Sequence, residues 1–280
     1  MDSPAPAEPT ADEPVLATTW TLRDFLPALG VSLSAFLLFA LQLHGWGHLF
    51  LVASLVGAYL LNKSLGKDLF LIGVGIAIVS ATSMEADVSW DRFFTIGTVL
   101  ILAVLTPSLI DRFIYRRRAI RFPWLGKHKW GKTEIIYLIA VPFLGWAILP
   151  YYFINSGAYL NWPHITDTSE LIRFFIGVNF VGTWDELFFI CTCFALLRRH
   201  FPVWLANLLQ ATIFVSFLWE LGYREWGPLL TIPFALIQAF LFDRTGSLIY
   251  VLVVHLLFAL QLHGWGHLFL VASLVGAYLL

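Results

Sequence analysis

Charge is scarce in this sequence. Asp, Glu, Lys and Arg make up 12% of its 280 residues, where a soluble domain carries about a quarter. Net charge is −1 and no basic domain stands out, which removes nucleic acid from the expected partners. Apolar and polar residues do not alternate with period two, which excludes a transmembrane barrel. Two cysteines, Cys191 and Cys193, are too few for a disulfide scaffold. They sit two apart in an apolar run, and helical residues at that spacing do not face one another. Both read as small buried hydrophobes.

Apolar residues fill the space that charge leaves. They make up 59% of the chain, and the mean hydropathy is +0.79. Apolar runs of about 18 residues recur, each long enough to cross the roughly 30 Å hydrocarbon core as a helix. The sequence therefore predicts an all-α polytopic integral membrane protein, a bundle of about eight to ten transmembrane segments. The expected segments are Phe25–Leu43, a short Leu49–Leu61, Leu69–Thr82, Phe93–Ile110, Ile135–Ile154, Leu171–Leu197, Val203–Trp219, Leu229–Phe242, Leu248–Leu262 and Leu268–Leu280. Residues 1–24, rich in Pro, Ala and acidic side chains, read as a disordered tail without the basic start of a signal peptide. Residues 25–134 form an N-terminal set of helices with a basic loop, and 135–258 a second set. Leu37–Leu61 returns letter for letter as Leu256–Leu280.

The connection Asp111–Glu134 carries Arg112, Arg116, Arg117, Arg118, Arg121, Lys127, Lys129 and Lys132, so it is expected on the cytoplasmic side. Alternation from that loop places Lys63, Lys67, Arg198, Arg199 and Arg244 on the same side. Glu85, Asp87, Asp91, Asp167 and Glu170 fall opposite. Topology explains the basic loop, and anionic lipid is a second reading. Trp20, Trp90, Trp162, Trp204 and Trp226 suit interface anchoring.

Ionisable groups inside a bilayer are costly and usually functional. Asp185 and Glu186 lie about twelve residues before Arg198, roughly 18 Å deep. His255 follows Arg244 and lies roughly 16 Å deep. All three share one layer. Glu220 ends its span near the opposite face, on a stripe with Thr212 and Ser216. A buried carboxylate pair and a neighbouring histidine suit water activation, with the histidine ligating a metal or donating to an oxyanion. A hydrogen-bonded clamp between helices, or a proton or ion relay, uses the same residue types. In His44-Gly45-Trp46-Gly47-His48 the i, i+4 histidines suit a metal on a helix, but the glycines argue for a turn. The copy His263 and His267 behaves alike. His128, His164 and His200 fall in loops and are expected to be solvated.

The stretch from about Val178 to Phe258 resembles the CPBP intramembrane proteases, the group of the CAAX prenyl endopeptidase and bacteriocin self-immunity proteins. Asp185-Glu186-Leu187-Phe188-Phe189-Ile190-Cys191 stands where that family has E-E-x-x-x-R. Asp243-Arg244-Thr245-Gly246-Ser247-Leu248 precedes Val254-His255 at the expected interval. The resemblance implies a metal-dependent endopeptidase in a bacterial cytoplasmic membrane, acting on a membrane-associated and possibly prenylated peptide. Asp185 would act on the water, Glu186 would support the site, and His255 would hold the metal or the oxyanion. Zinc or another divalent cation is the implied cofactor, with Glu186 and His255 among its ligands and Glu220 as the nearest substitute for a third. Three positions depart from the pattern. Ile190 stands for the arginine, Leu218 for the second-motif histidine after Phe214, and Ala259 for the asparagine. These departures keep open an inactive member that binds a membrane peptide as an immunity or scaffold protein. A proton-coupled transporter is the third reading, and the absence of a broken-helix inverted repeat counts against it.

Overall fold

The computed structural model describes residues 20–126 and 129–258. Its helices are α1 (Leu22–Ala35, continued by a π-helical stretch Phe36–Ala40), α2 (His44–Leu61), α3 (Lys63–Val79) and α4 (Trp90–Leu109, with a π turn Ile110–Ile114). They are followed by α5 (Lys132–Ser156), α6 (Thr168–Asp185), the π stretch Glu186–Phe194, α7 (Ala195–Arg198), α8 (Val203–Leu221), α9 (Pro228–Thr245) and α10 (Leu248–Phe258). No strand occurs among the described residues. Six helical segments there are long and apolar enough to cross a membrane: Leu22–Ala40, His44–Leu61, Trp90–Ile114, Lys132–Ser156, Thr168–Arg198 and Val203–Leu221. The protein is an all-α polytopic membrane protein.

Burial sorts the helices into a centre and a rim. The apolar windows of Thr168–Arg198 and Val203–Leu221 are 72% and 67% buried, against 17–22% for α2, α4 and α5. The α6–π–α7 rod and α8 therefore form the axis. The rim helices turn Val52, Leu105, Phe143 and Trp146 outward, as side chains facing lipid must be. Phe189 locks the axis by stacking on Phe214 of α8, ring centroids 4.3 Å apart.

Two expected boundaries shift. Residues 1–19 lie outside the described residues, and the tail expected to residue 24 ends earlier. Thr21 caps α1 by accepting from Asp24 N, and Trp20 packs on Phe25 and Trp204. The segment expected as a short Leu49–Leu61 begins at His44, so His44–His48 is the first turn of a helix rather than a loop. Close packing explains this: a Cβ on Gly47 would lie 2.5 Å from Leu38 Cγ, so the glycine is where α2 meets α1. His48 Nδ1 meets His44 O at 2.7 Å and Nε2 meets Ser80 Oγ at 3.1 Å, so both ring nitrogens of His48 are engaged. Ala259, His263, His267, the segment Leu268–Leu280 and most of the duplicated copy lie outside the described residues.

The basic connections gather at one end, as alternation requires. Asp68 of α3, 1% exposed, receives Arg199 Nε at 2.9 Å and His200 Nε2 at 2.8 Å, and it pairs with Arg117. Asp111 binds Arg117 Nε at 2.6 Å and accepts from Ala119 N and Ile120 N. His200 is therefore a partner in a charge cluster rather than a solvated loop residue. Arg244 pairs with Glu134, and Leu248 N donates to Pro123 O at 2.7 Å, which fixes the start of α10 beneath the basic loop.

Removing Asp68 would leave Arg117, Arg199 and His200 without their shared acceptor. Asp68→Ala is expected to lower stability by about 2 kcal/mol, between the values for exposed and buried pairs. Thermal unfolding in detergent checks this, and an unchanged midpoint would contradict the assigned role.

Candidate active site

The α6 rod carries the first two groups to mid-bundle. The α-helix ends at Asp185 and a π-helical stretch begins at Glu186. Such wide turns inside α-helices are frequent at functional sites. Asp185 is 1% exposed and Glu186 is fully buried. The third group arrives on α10, where His255 is 8% exposed. Its ring is wedged edge-on against Phe234 at 5.0 Å. Gly182, one turn before Asp185, lets it in: a Cβ there would lie 3.3 Å from His255 Nε2.

The imidazole sits between the neighbouring carboxylates. His255 Nδ1 lies 2.8 Å from Glu186 Oε1, and Nε2 lies 3.8 Å from Asp185 Oδ2. The first distance is a hydrogen bond and the second is beyond one. The sequence expects these three residues together, and the structure brings them together.

A fourth residue escaped the sequence. Gln238 of α9 is fully buried. Its Nε2 donates to Glu186 Oε1 at 2.6 Å and to Val251 O at 3.1 Å. Oε1 of Glu186 accepts from the Gln238 amide, and the Nδ1–H tautomer of His255, which donates to the same oxygen, is the one assigned from this network. Gln238 also ties α9 to α10 through the Val251 carbonyl. Its available signal was a lone amide in an apolar helix, which also reads as a helix-packing contact.

Three oxygens in the cluster, Asp185 Oδ1, Glu186 Oε2 and Gln238 Oε1, are buried with no hydrogen-bond partner. Each such group costs about 1–3 kcal/mol, and a native fold that retains them calls for a reason. For Asp185 the reason offered by position is the adjoining cavity of about 320 Å³, which Asp185 and His255 line. Leu218 lines it too, so the position matched to the family's second histidine does face the site. Ile190 instead is fully buried in the apolar core.

The donor set does not fit the expected zinc. A catalytic zinc takes three protein ligands at about 2.0–2.3 Å. Here His255 Nε2 and Asp185 could offer at most two donors, and the Leu218 position offers none. Glu220 is not brought to the cluster. It lies near the C-terminal end of α8 and accepts from Met84 N at 3.0 Å; two positions on from the cavity-lining Leu218, its side chain leaves the helix on another face. Among the described residues no group of three His, Cys, Asp or Glu side chains could hold a metal ion. The other two residues of the Glu220 stripe are satisfied within α8, since Thr212 Oγ1 donates to Leu208 O and Ser216 Oγ to Thr212 O. Cys191 and Cys193 are buried free thiols.

Residues 167–260 match the family model described as Type II CAAX prenyl endopeptidase Rce1-like. No curated protein and no solved structure matches the chain. The matched third carries Asp185, Glu186, Gln238 and His255, and over it the likeness to the CPBP and CAAX proteases read from the motifs is borne out.

Proposed function

We propose that the protein is an intramembrane endopeptidase acting on a membrane-associated peptide, prenylated peptides included. One observation carries the reading: an imidazole held between adjacent carboxylates beside a largely apolar cavity. The family match over the same residues supports it.

Glu186 and Gln238 do the holding. With Nδ1–H bonded to Glu186, the lone pair of Nε2 is directed toward Asp185 and the cavity. This is the orienting logic of a carboxylate behind a histidine base. A substrate water between Nε2 and Asp185 loses a proton to the imidazole as its oxygen bonds to the scissile carbonyl carbon. The imidazolium, stabilised by Glu186, then returns that proton to the amide nitrogen as the C–N bond breaks. Water is consumed, and a carboxylic acid and an amine are released. No step passes through a metal, in keeping with the donor set. The basic end is placed in the cytoplasm by the excess of Lys and Arg in its loops.

A second reading is an inactive member that captures a membrane peptide in the same cavity. Leu218 and Ile190, where the family has histidine and arginine, favour it.

The purified protein in nanodiscs, given a fluorogenic membrane peptide, decides between the two. Glu186→Gln and His255→Ala are each expected to lower the cleavage rate by about a hundredfold or more, the scale of general acid–base catalysis. Binding without cleavage by the unaltered protein would support the capture reading, and equal rates in all three proteins would reject the assignment. Two further variants probe the geometry. Gln238→Met, which removes one donor to Glu186, is expected to lower kcat by about tenfold with KM little changed. Glu220→Gln is expected to keep kcat close to the unaltered value. The reverse order would contradict the site drawn here. Treatment with 1,10-phenanthroline is expected to leave the rate unchanged, and a loss restored by added zinc would overturn the metal-free scheme.

A further inference from the structure

The cavity has a second polar element that the cleavage chemistry does not use. Arg173 lies on α6 twelve positions before Asp185 and lines the same cavity. It is 9% exposed. Its Nε donates to Val88 O at 2.6 Å and its Nη1 to Ser169 Oγ at 2.5 Å. The guanidinium lies over the ring of Trp90, 4.5 Å from the centroid. These contacts fix the plane of the group yet use two of its five N–H donors. No carboxylate among the described residues comes within ion-pair distance of it. Asp87 lines the same cavity, but its Oδ1 accepts from Ser89 N at 2.7 Å.

A buried cation without an anion is unfavourable in an apolar setting. Fastening the 82–89 loop to α6 would explain the Val88 contact. It does not explain a cation where a neutral donor would serve, on a side chain that lines a cavity and keeps unused Nη donors. The guanidinium is a planar fork, the shape that pairs with a carboxylate through two parallel hydrogen bonds. Between Arg173 and the catalytic cluster the wall is apolar: Gly177, Val178, Val181 and Leu221 line it. With little water to screen it, a charge pair at the far end would be strong.

We propose that Arg173 is a carboxylate-recognition residue that selects the peptide substrate. Twelve residues of helix span about 18 Å, which is about five residues of extended peptide. The preferred substrate is therefore an apolar peptide bearing a carboxylate, terminal or side-chain, about five residues from the scissile bond. The cleavage part of this inference rests on the endopeptidase reading, whereas the binding part does not.

The test uses two fluorescent apolar peptides that differ only there, one with a carboxylate and one with a carboxamide. They are offered to the full-length protein in phosphatidylcholine nanodiscs, and Kd is read by anisotropy whether or not cleavage follows. The unaltered protein is expected to bind the acid about tenfold more tightly, the size of one charge-assisted hydrogen bond. In Arg173→Gln the ratio is expected to fall to about one, with affinity for the amide peptide unchanged. Arg173→Lys is expected to retain part of the preference, since it keeps charge but not the fork. Equal affinities in the unaltered protein, a preference that survives Arg173→Gln, or equal weakening of both peptides would each overturn the proposal. So would loss of the preference when phosphatidylglycerol is added, which would assign Arg173 to a lipid headgroup. Preference without cleavage would overturn the endopeptidase reading alone, and cleavage without preference would overturn the role of Arg173 alone.

Discussion

A hydrogen bond between Glu186 and His255 in the middle of an apolar bundle is the constraint around which the second half of the chain is arranged. Neither group is tolerable alone at that depth. A carboxylate without donors, or an imidazole without a partner, would be expelled or neutralised. Joined at 2.8 Å and supported by Gln238 from a third helix, they hold α6, α9 and α10 in one register. The surrounding apolar packing sets this contact rather than competing with it. Phe234 closes one side of the ring, and Gly182 provides the room on the other.

That arrangement gives neighbouring residues different tasks. Glu186 is saturated on one oxygen and faces the protein, so it orients. Asp185 is one step along the backbone, faces the cavity and stands 3.8 Å from the opposite ring nitrogen. In a regular α-helix successive side chains diverge by about 100°, and an imidazole between them is what makes that divergence useful. The π turn that starts at Glu186 then returns the rod to its packing against α8. At the basic end, Asp68 does for the connections what Glu186 does for the site, gathering Arg117, Arg199 and His200 around one buried carboxylate.

Much of this was legible in the sequence because hydrocarbon leaves few choices. Runs of apolar residues can only be helices there, and the basic loop fixes which connections share an end. The rare ionisable residues at matching depth, Asp185, Glu186 and His255, had few reasons to exist apart. The signals that failed were those needing tertiary packing. The glycines around Trp46 read as a turn, but Gly47 serves contact with Leu38. His200 read as a loop residue because Asp68 is far away in sequence. Glu220 looked like a substitute ligand by proximity to Leu218, but two positions along a helix turn a side chain away from the shared face. Gln238 and Arg173 carried no pattern, since an amide or a guanidinium acquires its meaning only from what surrounds it.

The direct measure of the central contact is the protonation pattern of His255, read by nitrogen-15 NMR on histidine-labelled protein in nanodiscs. The proton is expected on Nδ1 with Nε2 unprotonated at neutral pH, and this pattern is expected to collapse into a mixture of tautomers in Glu186→Gln. An unaltered protein whose His255 carries its proton on Nε2, or a spectrum indifferent to Glu186→Gln, would contradict the account.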